Sequence, residues 1–251
     1  MKYLLVLLCC SSFISAAVAK CSSSGIYIKN NTIELNKEGL VVLEFYANSQ
    51  SLIPHLNTKY PVYLKSSESK LTLVVKQIHK GYHLTQVVLI AETSLNELLT
   101  YGFHMDKLPR GERKPMMRTG GKLYGKEIVF TVSKSSKQPM PSFAGEPAEQ
   151  KKTFDVFGCG PAKWVYFKIG LSDTTVKLVK ALVRSKNKGT TTGYILPVEN
   201  GVVAIGHGMC SGPFDFEESD YEIAFALLDS AGNEREKTKP LAFEAPVLKA
   251  S

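Results

Sequence analysis

The 251-residue sequence predicts an all-β protein with two β-sandwich domains in tandem. Both halves contain short runs of β-branched and aromatic residues separated by clusters of Gly, Pro, Asn or Ser, which is the pattern of sandwich strands. No stretch keeps the 3.6-residue apolar period of an amphipathic helix. Residues 133–153 are rich in Ser, Lys, Pro and Glu, so they predict a linker. The predicted domains are therefore 22–132 and 154–249.

Residues 1–19 have the three parts of a secretory signal peptide. Lys2 supplies the positive charge, residues 4–14 form the apolar segment, and Ala17-Val18-Ala19 is a small-x-small cleavage site. The apolar segment is shorter than the ~20 residues that span a bilayer. We therefore expect export, with the protein secreted, periplasmic or at the cell surface.

Short strands are predicted along both halves. Large residues alternate from Tyr221 to Leu227, which indicates a strand with one buried face. Only residues 51–59 and 94–100 have room for a helical turn. The predicted strands are 32–35, 40–46, 61–64, 71–75, 86–90 and 101–105 in the first half, and 164–169, 176–183, 193–198, 201–205, 221–228 and 241–243 in the second.

Each half places a tyrosine at the start of a late strand, Tyr101 after Leu95 and Tyr221 after Phe216. This placement resembles the tyrosine corner of immunoglobulin-like (Ig-like) sandwiches. The string YEIAFALLDSAGNE, followed by a last strand ending LAFEAP, is similar to the closing hairpin of bacterial Ig-like and fibronectin-type modules. The strings NTIELNKEGLVVLEFYANS and LNELLTYGFHMDKLP resemble bacterial Ig-like domains of the surface-layer and copper-carrier type. The resemblance implies two Ig-like β-sandwiches, an architecture that carries many unrelated functions.

Three cysteines remain after the predicted cleavage, namely Cys21, Cys159 and Cys210. An exported protein meets oxidising conditions, in which cysteines pair. Cys159 and Cys210 lie in the same half and are the predicted disulfide, which leaves Cys21 unpaired near the N-terminus. Pairing of Cys21 with either of the others stays open, whereas lipidation of Cys21 is not favoured because Lys20 precedes it.

The formal net charge of +8 and the pI of about 9.1 favour anionic partners. Residues 109–122 are the densest basic segment, and their Pro and Gly residues predict a loop between strands. No aromatic platform for stacking of bases accompanies this segment, so we expect an anionic polysaccharide or a protein partner and no nucleic acid. The alternative is a solvated loop without a ligand. The predicted ligand-binding residues are Arg110, Arg113, Lys114, Arg118 and Lys122.

The segment Gly206–Gly212 contains G-x-C-x-G around Cys210, the spacing of a nucleophile elbow, and so resembles cysteine-dependent α/β-hydrolases. An elbow requires a helix after the nucleophile, but residues 213–216 alternate like a strand. A disulfide at Cys210 would also remove the nucleophilic thiolate. The sequence therefore favours a glycine-rich turn that holds a disulfide.

A copper site is a second alternative, suggested by the resemblance to copper carriers. His79, His83 and His104 lie near several methionines in the sequence, and imidazole and thioether groups suit copper. On a strand, however, His79 and His83 would be ~13 Å apart, too far to share an ion, although a tight hairpin could still bring them together. Histidines in loops and methionines in the core explain the same pattern, so no metal ligand is predicted.

Two further patterns have competing explanations. Trp164 and Tyr166 share one face of a predicted strand, and Val165, Phe167 and Ile169 share the other, so one face is core. Exposed aromatics at this spacing can stack on sugar rings, and the alternative is a core that uses both faces. The acidic stretch 215–222 lacks the residue order of calcium loops and predicts a solvated strand edge.

These patterns together favour an exported, non-catalytic binding or surface-structural protein. No catalytic group stands out, and no cofactor is expected. Two alternatives stay open, a periplasmic copper-binding protein and a cysteine-dependent hydrolase centred on Cys210.

Overall fold

The computed structural model describes residues 24–30, 32–112, 114–119, 122–124, 127–133, 141–158, 160–172, 178–229 and 231–248. The described residues form eighteen strands and one 3₁₀ helix, which confirms the all-β prediction. The predicted signal peptide, Cys21, Cys159 and residues 134–140 of the predicted linker lie outside the described residues.

The first half contains ten of these strands and the 3₁₀ helix, Ala47–His55. The strands are β1 (Gly25–Ile28), β2 (Glu34–Leu35), β3 (Val41–Tyr46), β4 (Val62–Lys65), β5 (Lys70–Lys80), β6 (Leu84–Ala91), β7 (Thr100–Met105), β8 (Met116–Thr119), β9 (Lys122–Tyr124) and β10 (Val129–Val132). They are connected in the order β2-β10-β7-β4-β5-β6-β3-β1-β8-β9.

Strand β5 joins the two parts of this sheet. Its first residues, 70–72, pair with β4, and residues 73–80 pair with β6. Apolar side chains of β3 and β6, such as Phe45 and Leu89, share one buried cluster with Leu64 and Phe130 of the other part. The first half therefore folds as two β layers around a common core.

The second half contains the other eight described strands. They are β11 (Ala148–Phe157), β12 (Gly160–Lys168), β13 (Leu178–Ser185), β14 (Thr191–Pro197), β15 (Val202–His207), β16 (Asp220–Leu228), β17 (Glu234–Lys237) and β18 (Leu241–Glu244). One sheet has the order β11-β12-β15 and the other β14-β13-β16-β17, with β18 also paired to β16. A second core lies between them, in which Phe167 of β12 contacts Phe225 of β16 edge to face.

Both tyrosines accept a hydrogen bond from the backbone a few residues upstream, a contact like that of a tyrosine corner. The Tyr101 hydroxyl accepts a hydrogen bond from the backbone N–H of Asn96 at 3.0 Å. The Tyr221 hydroxyl accepts one from the backbone N–H of Glu218 at 2.9 Å. Both rings are buried, so each bond fixes the chain just ahead of a core strand.

The observed elements differ from the sequence-based prediction in several places, and β1, β8, β9, β10, β11 and β17 match none of the predicted strands. Strand β11 starts at Ala148, inside the predicted linker, because pairing with β12 makes a strand of a polar run that shows no apolar alternation. The 3₁₀ helix begins at Ala47 instead of residue 51, and the second predicted helical turn, 94–100, contains only turns before β7 begins.

The two halves pack directly against each other. The inward residues of β3 and β6 fill the first core, while Val42 and Val88 on their opposite faces are also fully buried. These two side chains form a third buried cluster with Ile195 of β14. Strands β3 and β6 are thus covered on both faces.

Candidate binding surfaces

The basic segment 109–122 follows β7 and continues into the β8–β9 hairpin. The prediction of a loop is wrong for its second part, because β8 pairs in parallel with β1 and antiparallel with β9. The physical reason is Met117, which is fully buried in the first core and fixes the strand at the sheet edge. The segment is therefore a turn followed by a hairpin.

Two of the five predicted binding side chains are described. Arg110 and Lys114 are exposed, and neither makes an ion pair with a described residue. The backbones of Arg118 and Lys122 lie in β8 and β9. Arg113 lies outside the described residues, as do the side chains of Arg118 and Lys122. The structure thus presents two cations to solvent from the turn and places two more on the adjoining hairpin.

The turn of the basic segment is attached to the first half at several points. Ser49, buried in the 3₁₀ helix, donates a hydrogen bond from its Oγ to Glu112 Oε2 at 2.9 Å. Pro115 is buried three residues further along, followed by the fully buried Met117. These contacts attach Glu112, Pro115 and Met117 to the first half, while the side chain of Lys114 is exposed.

A buried glutamine joins the two halves. Gln86 of β6 is fully buried, and its Nε2 donates to the carbonyl oxygen of Ile195 at 2.8 Å. The backbone N–H of Ile195 donates to Gln86 Oε1 at 2.9 Å. The side-chain amide thus makes the two bonds that a neighbouring strand would make, and it caps the edge of β14.

Lysine side chains add further polar contacts across the same interface. Lys180 Nζ lies 2.9 Å from Glu234 Oε1 and donates to Gln77 Oε1 of the first half at 3.3 Å. Lys76 of the first half donates to Asn233 Oδ1 at 2.7 Å. The charge of Lys180, which is buried, is thereby paired, as a buried cation requires.

Glu44 is a buried carboxylate on the interface side of β3. Tyr46 donates a hydrogen bond to it at 2.6 Å, and Lys29 Nζ lies 3.4 Å away. Burial, followed by the charge of Glu44, raises the pKa of Tyr46 far above its usual value. The same two causes raise the pKa of Tyr194 in β14, so both hydroxyls stay protonated near this carboxylate.

A cleft of about 330 Å³ lies between the halves. Residues 80–83 line one side, and Asp215, Glu217 and Glu218 of the acidic stretch line the other. Glu217 is paired with Lys188, and Ser185 donates to Glu218. These two carboxylates are thus engaged within the protein. Among the described residues no group of three or more His, Cys, Asp or Glu is arranged to hold a metal ion.

His207 is almost fully buried and lies against two residues that line the cleft, Tyr82 and Asp215. Its Nδ1 is 2.8 Å from the carbonyl oxygen of Gly208, and its Nε2 is 3.4 Å from Asp215 Oδ1. The Tyr82 ring lies over the imidazole with ring centres 4.5 Å apart. Tyr82 also exchanges two backbone hydrogen bonds with Gly212, so this contact connects the halves a second time.

The three histidines of the copper hypothesis lie in different surroundings. His104 in β7 stacks on Tyr63 with ring centres 5.0 Å apart, in the layer away from the interface. His79 in β5 faces Tyr194, and burial, followed by the charge of Lys180, lowers its pKa to about 4. His83 lies in the turn after β5 with a φ of 54°. The fold does not bring His104 to the other two.

The G-x-C-x-G segment follows β15 without the geometry of an elbow. Residues 213–216 contain no helix, and Gly212 pairs with Tyr82. A Cβ at Gly212 would lie 2.2 Å from the Cα of His207, so the glycine is explained by this close backbone approach. The arrangement has a structural cause and lacks the exposed nucleophile turn of a hydrolase.

Strand β12, which carries Trp164 and Tyr166, packs only one of its faces against the second core. Val165 and Phe167 of β12 are fully buried in the second core. Trp164 and Tyr166 lie on the other face and are partly exposed, and the Nζ of Lys151 is 4.4 Å from the centre of the Tyr166 ring.

Sequence reasoning missed Gln86 and Glu44, the buried polar residues of the interface. Both lie within apolar strand runs, QVVLI and VVLEFY, at positions that alternate with core residues. A polar residue on an otherwise buried strand indicates a specific partner, because an unpaired buried polar group is costly. That signal was present, but the partner Ile195 is more than 100 residues away.

Comparisons with known proteins identify no family. No family model and no curated protein matches this chain. A pullulanase from Anoxybacillus sp. LM18-11 complexed with maltotriose aligns at 11% identity over 82% of this chain and 24% of that chain, with a TM-score of 0.24. Type I pullulanase from Bacillus subtilis str. 168 complexed with maltose aligns at 10% identity over 91% and 27%, with a TM-score of 0.25. This chain spans about a quarter of those structures, and the scores are too low to indicate function.

Among the described residues, no helix has the length and apolar character needed to cross a bilayer.

Proposed function

We propose that the protein is an exported, non-catalytic binding protein of two Ig-like sandwiches that recognises an anionic polymer through the basic segment 109–122. One observation carries the proposal. Arg110 and Lys114 are exposed, without an ion pair to any described residue, on a turn that Ser49, Pro115 and Met117 hold in place. A fixed backbone lowers the entropy lost when charged side chains engage a ligand.

The charge balance of the chain supports an anionic ligand. The net charge is +8, and residues 110–122 contribute five cations against the single carboxylate of Glu112. Arginine binds carboxylate, sulfate or phosphate groups through paired hydrogen bonds, and several such contacts along a polymer act together. The Ig-like assignment is supported by the two tyrosine-corner hydrogen bonds and by the layered cores.

The binding test compares two triple variants on immobilised heparin, an anionic polysaccharide. The variant R110A/R113A/K114A removes three cations of the basic segment, and K168A/K186A/K239A removes three exposed lysines from the second half. Both lower the net charge by three. We expect the first to elute at clearly lower salt than the second. Equal elution of the two variants would show that binding follows net charge alone and would reject the site.

The predicted disulfide between Cys159 and Cys210 is part of the same proposal. It is supported by the backbone next to Cys159, because a Cβ at Gly160 would lie 3.2 Å from the carbonyl oxygen of Met209. Peptide mapping of non-reduced protein should yield a linked peptide with both cysteines. A cross-linked peptide that contains Cys21 from monomeric protein would contradict this pairing.

A further inference from the structure

Strand β11 has a long edge without a neighbouring strand. Nine of its ten residues pair with β12, and in the described part of the chain none pairs with another strand. In the described part of the chain, no backbone hydrogen bond joins residues 148–157 to anything else. An edge of this kind presents a row of unpaired N–H and C=O groups that another strand can join.

The other sheet edges lack this property. Gln86 caps β14, as described above. Strand β2 has two residues, β9 has three, and β17 and β18 have four each, which limits the hydrogen bonds that they can offer. Strand β15 is the other edge of the sheet that contains β11. Its Val202 exchanges two backbone hydrogen bonds with Glu199, and the carbonyl oxygen of its Gly206 accepts one from Phe214. Strand β11 is therefore the long edge that the described residues leave open.

The two ends of β11 differ in their protection. A bulge between Glu149 and Lys151 interrupts the register at the first end, and bulges and lysines discourage edge pairing. At the other end, Val156 and Phe157 are 65% and 49% exposed. The regular part of the edge thus starts at Lys151 and ends in exposed apolar side chains.

We propose that this edge pairs with β11 of a second copy of the chain, antiparallel and centred on Thr153. In this register Lys151 of each copy lies opposite Asp155 of the other, and the two Thr153 residues face each other. Opposite charges at directly facing positions stabilise antiparallel strands. The two-fold axis makes the contact self-complementary and closed, as in most homodimers.

The charges of β11 favour a second copy of the same strand as its partner, and they favour antiparallel over parallel pairing. Lys151 and Asp155 are spaced equally on either side of Thr153 and lie on one face of the strand, together with Tyr166. Parallel pairing in register would place Lys151 against Lys151 and Asp155 against Asp155. Asp155 makes no ion pair with any described residue, whereas the neighbouring Lys152 lies 3.3 Å from Glu149 of its own chain.

A charge-swap cycle tests the register in solution by analytical ultracentrifugation. We expect the protein to dimerise and both K151E and D155K to raise the dissociation constant about tenfold or more, since each turns two attractive pairs into repulsive ones. The double variant K151E/D155K should restore dimerisation. K152E is the matched control, because Lys152 lies on the opposite face and is paired within its own chain, and it should leave the dissociation constant within about threefold.

A second experiment reports the geometry even if one charge variant folds poorly. K151C and D155C are oxidised separately and as a mixture. We expect a reducible dimer chiefly in the mixture, because residue 151 lies opposite residue 155 of the other copy but ~13 Å from residue 151.

Three results would overturn the proposal. The first is a protein that stays monomeric at millimolar concentration, which would leave the edge to a strand from another protein. The second is a dimer that the double variant fails to restore. The third is equal cross-linking of K151C alone and of the mixture. A monomeric protein that still binds heparin would reject the dimer and leave the proposed function intact. Failure of the dimer proposal can therefore be told apart from failure of the proposed function.

Discussion

The interface between the halves and the basic segment use polar residues in opposite ways. At the interface, Gln86 and Lys180 are buried, and both side chains have protein partners. In the basic segment, Arg110 and Lys114 are exposed and have no charged partner among the described residues. The first arrangement fixes how the halves meet, because breaking it leaves buried groups unpaired. The second contributes little to folding, since exposed charges are already solvated, and is available to a ligand.

The largest expected effect on stability comes from the interface. Q86A removes both hydrogen bonds to the backbone of Ile195 and leaves its N–H and C=O buried without partners. We expect a loss of about 2–4 kcal/mol in the free energy of unfolding, measured by urea denaturation. The matched control is Q150A, at an exposed position in β11, which should stay within about 0.5 kcal/mol. Similar losses in Q86A and Q150A would contradict the role given to Gln86.

Hydrogen bonds within each half should have a smaller effect than the interface. Y101F and Y221F each remove one acceptor from a backbone N–H, at Asn96 and at Glu218. We expect each to lower the free energy of unfolding by about 1 kcal/mol. Y27F is the control, since Tyr27 donates no hydrogen bond to a described residue, and should have no measurable effect. A corner variant that matches Y27F would show that the hydroxyl is not structural.

The free energy of unfolding should depend on pH through His79, which is partly buried, unlike the exposed cations of the basic segment. Burial, followed by Lys180, lowers the pKa of His79 to about 4 in the folded protein, against 6.5 for an unperturbed histidine. Between these values the unfolded chain binds more protons at this site, so its contribution to stability falls as the pH falls from about 6.5 to about 4.

The variant H79N isolates this contribution. The difference in free energy of unfolding between the wild type and H79N should change by on the order of 1 kcal/mol between pH 7 and pH 4, a figure reduced for partial exposure of the ring. A difference that is constant with pH would show that His79 titrates alike in the folded and unfolded chains.

The sequence predicted elements whose cause is local and missed those whose cause is distant. The alternation from Tyr221 to Leu227 predicted β16, because period 2 directly reflects one buried face. The polar run at the start of β11 gave no such signal, since its pairing with β12 decides its conformation. Pro and Gly in the basic segment hid the β8–β9 hairpin, which depends on burial of Met117.

The candidate binding residues also combine features with a local cause, which the sequence predicts, and features with a distant cause, which it does not. Their charge and density could be read from composition, so Arg110 and Lys114 were predicted as exposed cations. Their attachment through Ser49 could not, because that contact spans 63 residues of sequence. Nor could the interface with Gln86, which pairs with a residue 109 positions away.

The salt dependence of heparin binding tests the central claim most directly. The logarithm of the association constant for a polyanion falls linearly with the logarithm of the salt concentration, with a slope that grows with the number of cations in contact. R110A/R113A/K114A should unfold within about 0.5 kcal/mol of the wild type and show a clearly shallower slope, because its cations are exposed and contact the polymer. K168A/K186A/K239A should keep the wild-type slope. Equal slopes for the two triple variants would contradict the account, because the basic segment would then not be where the polymer binds.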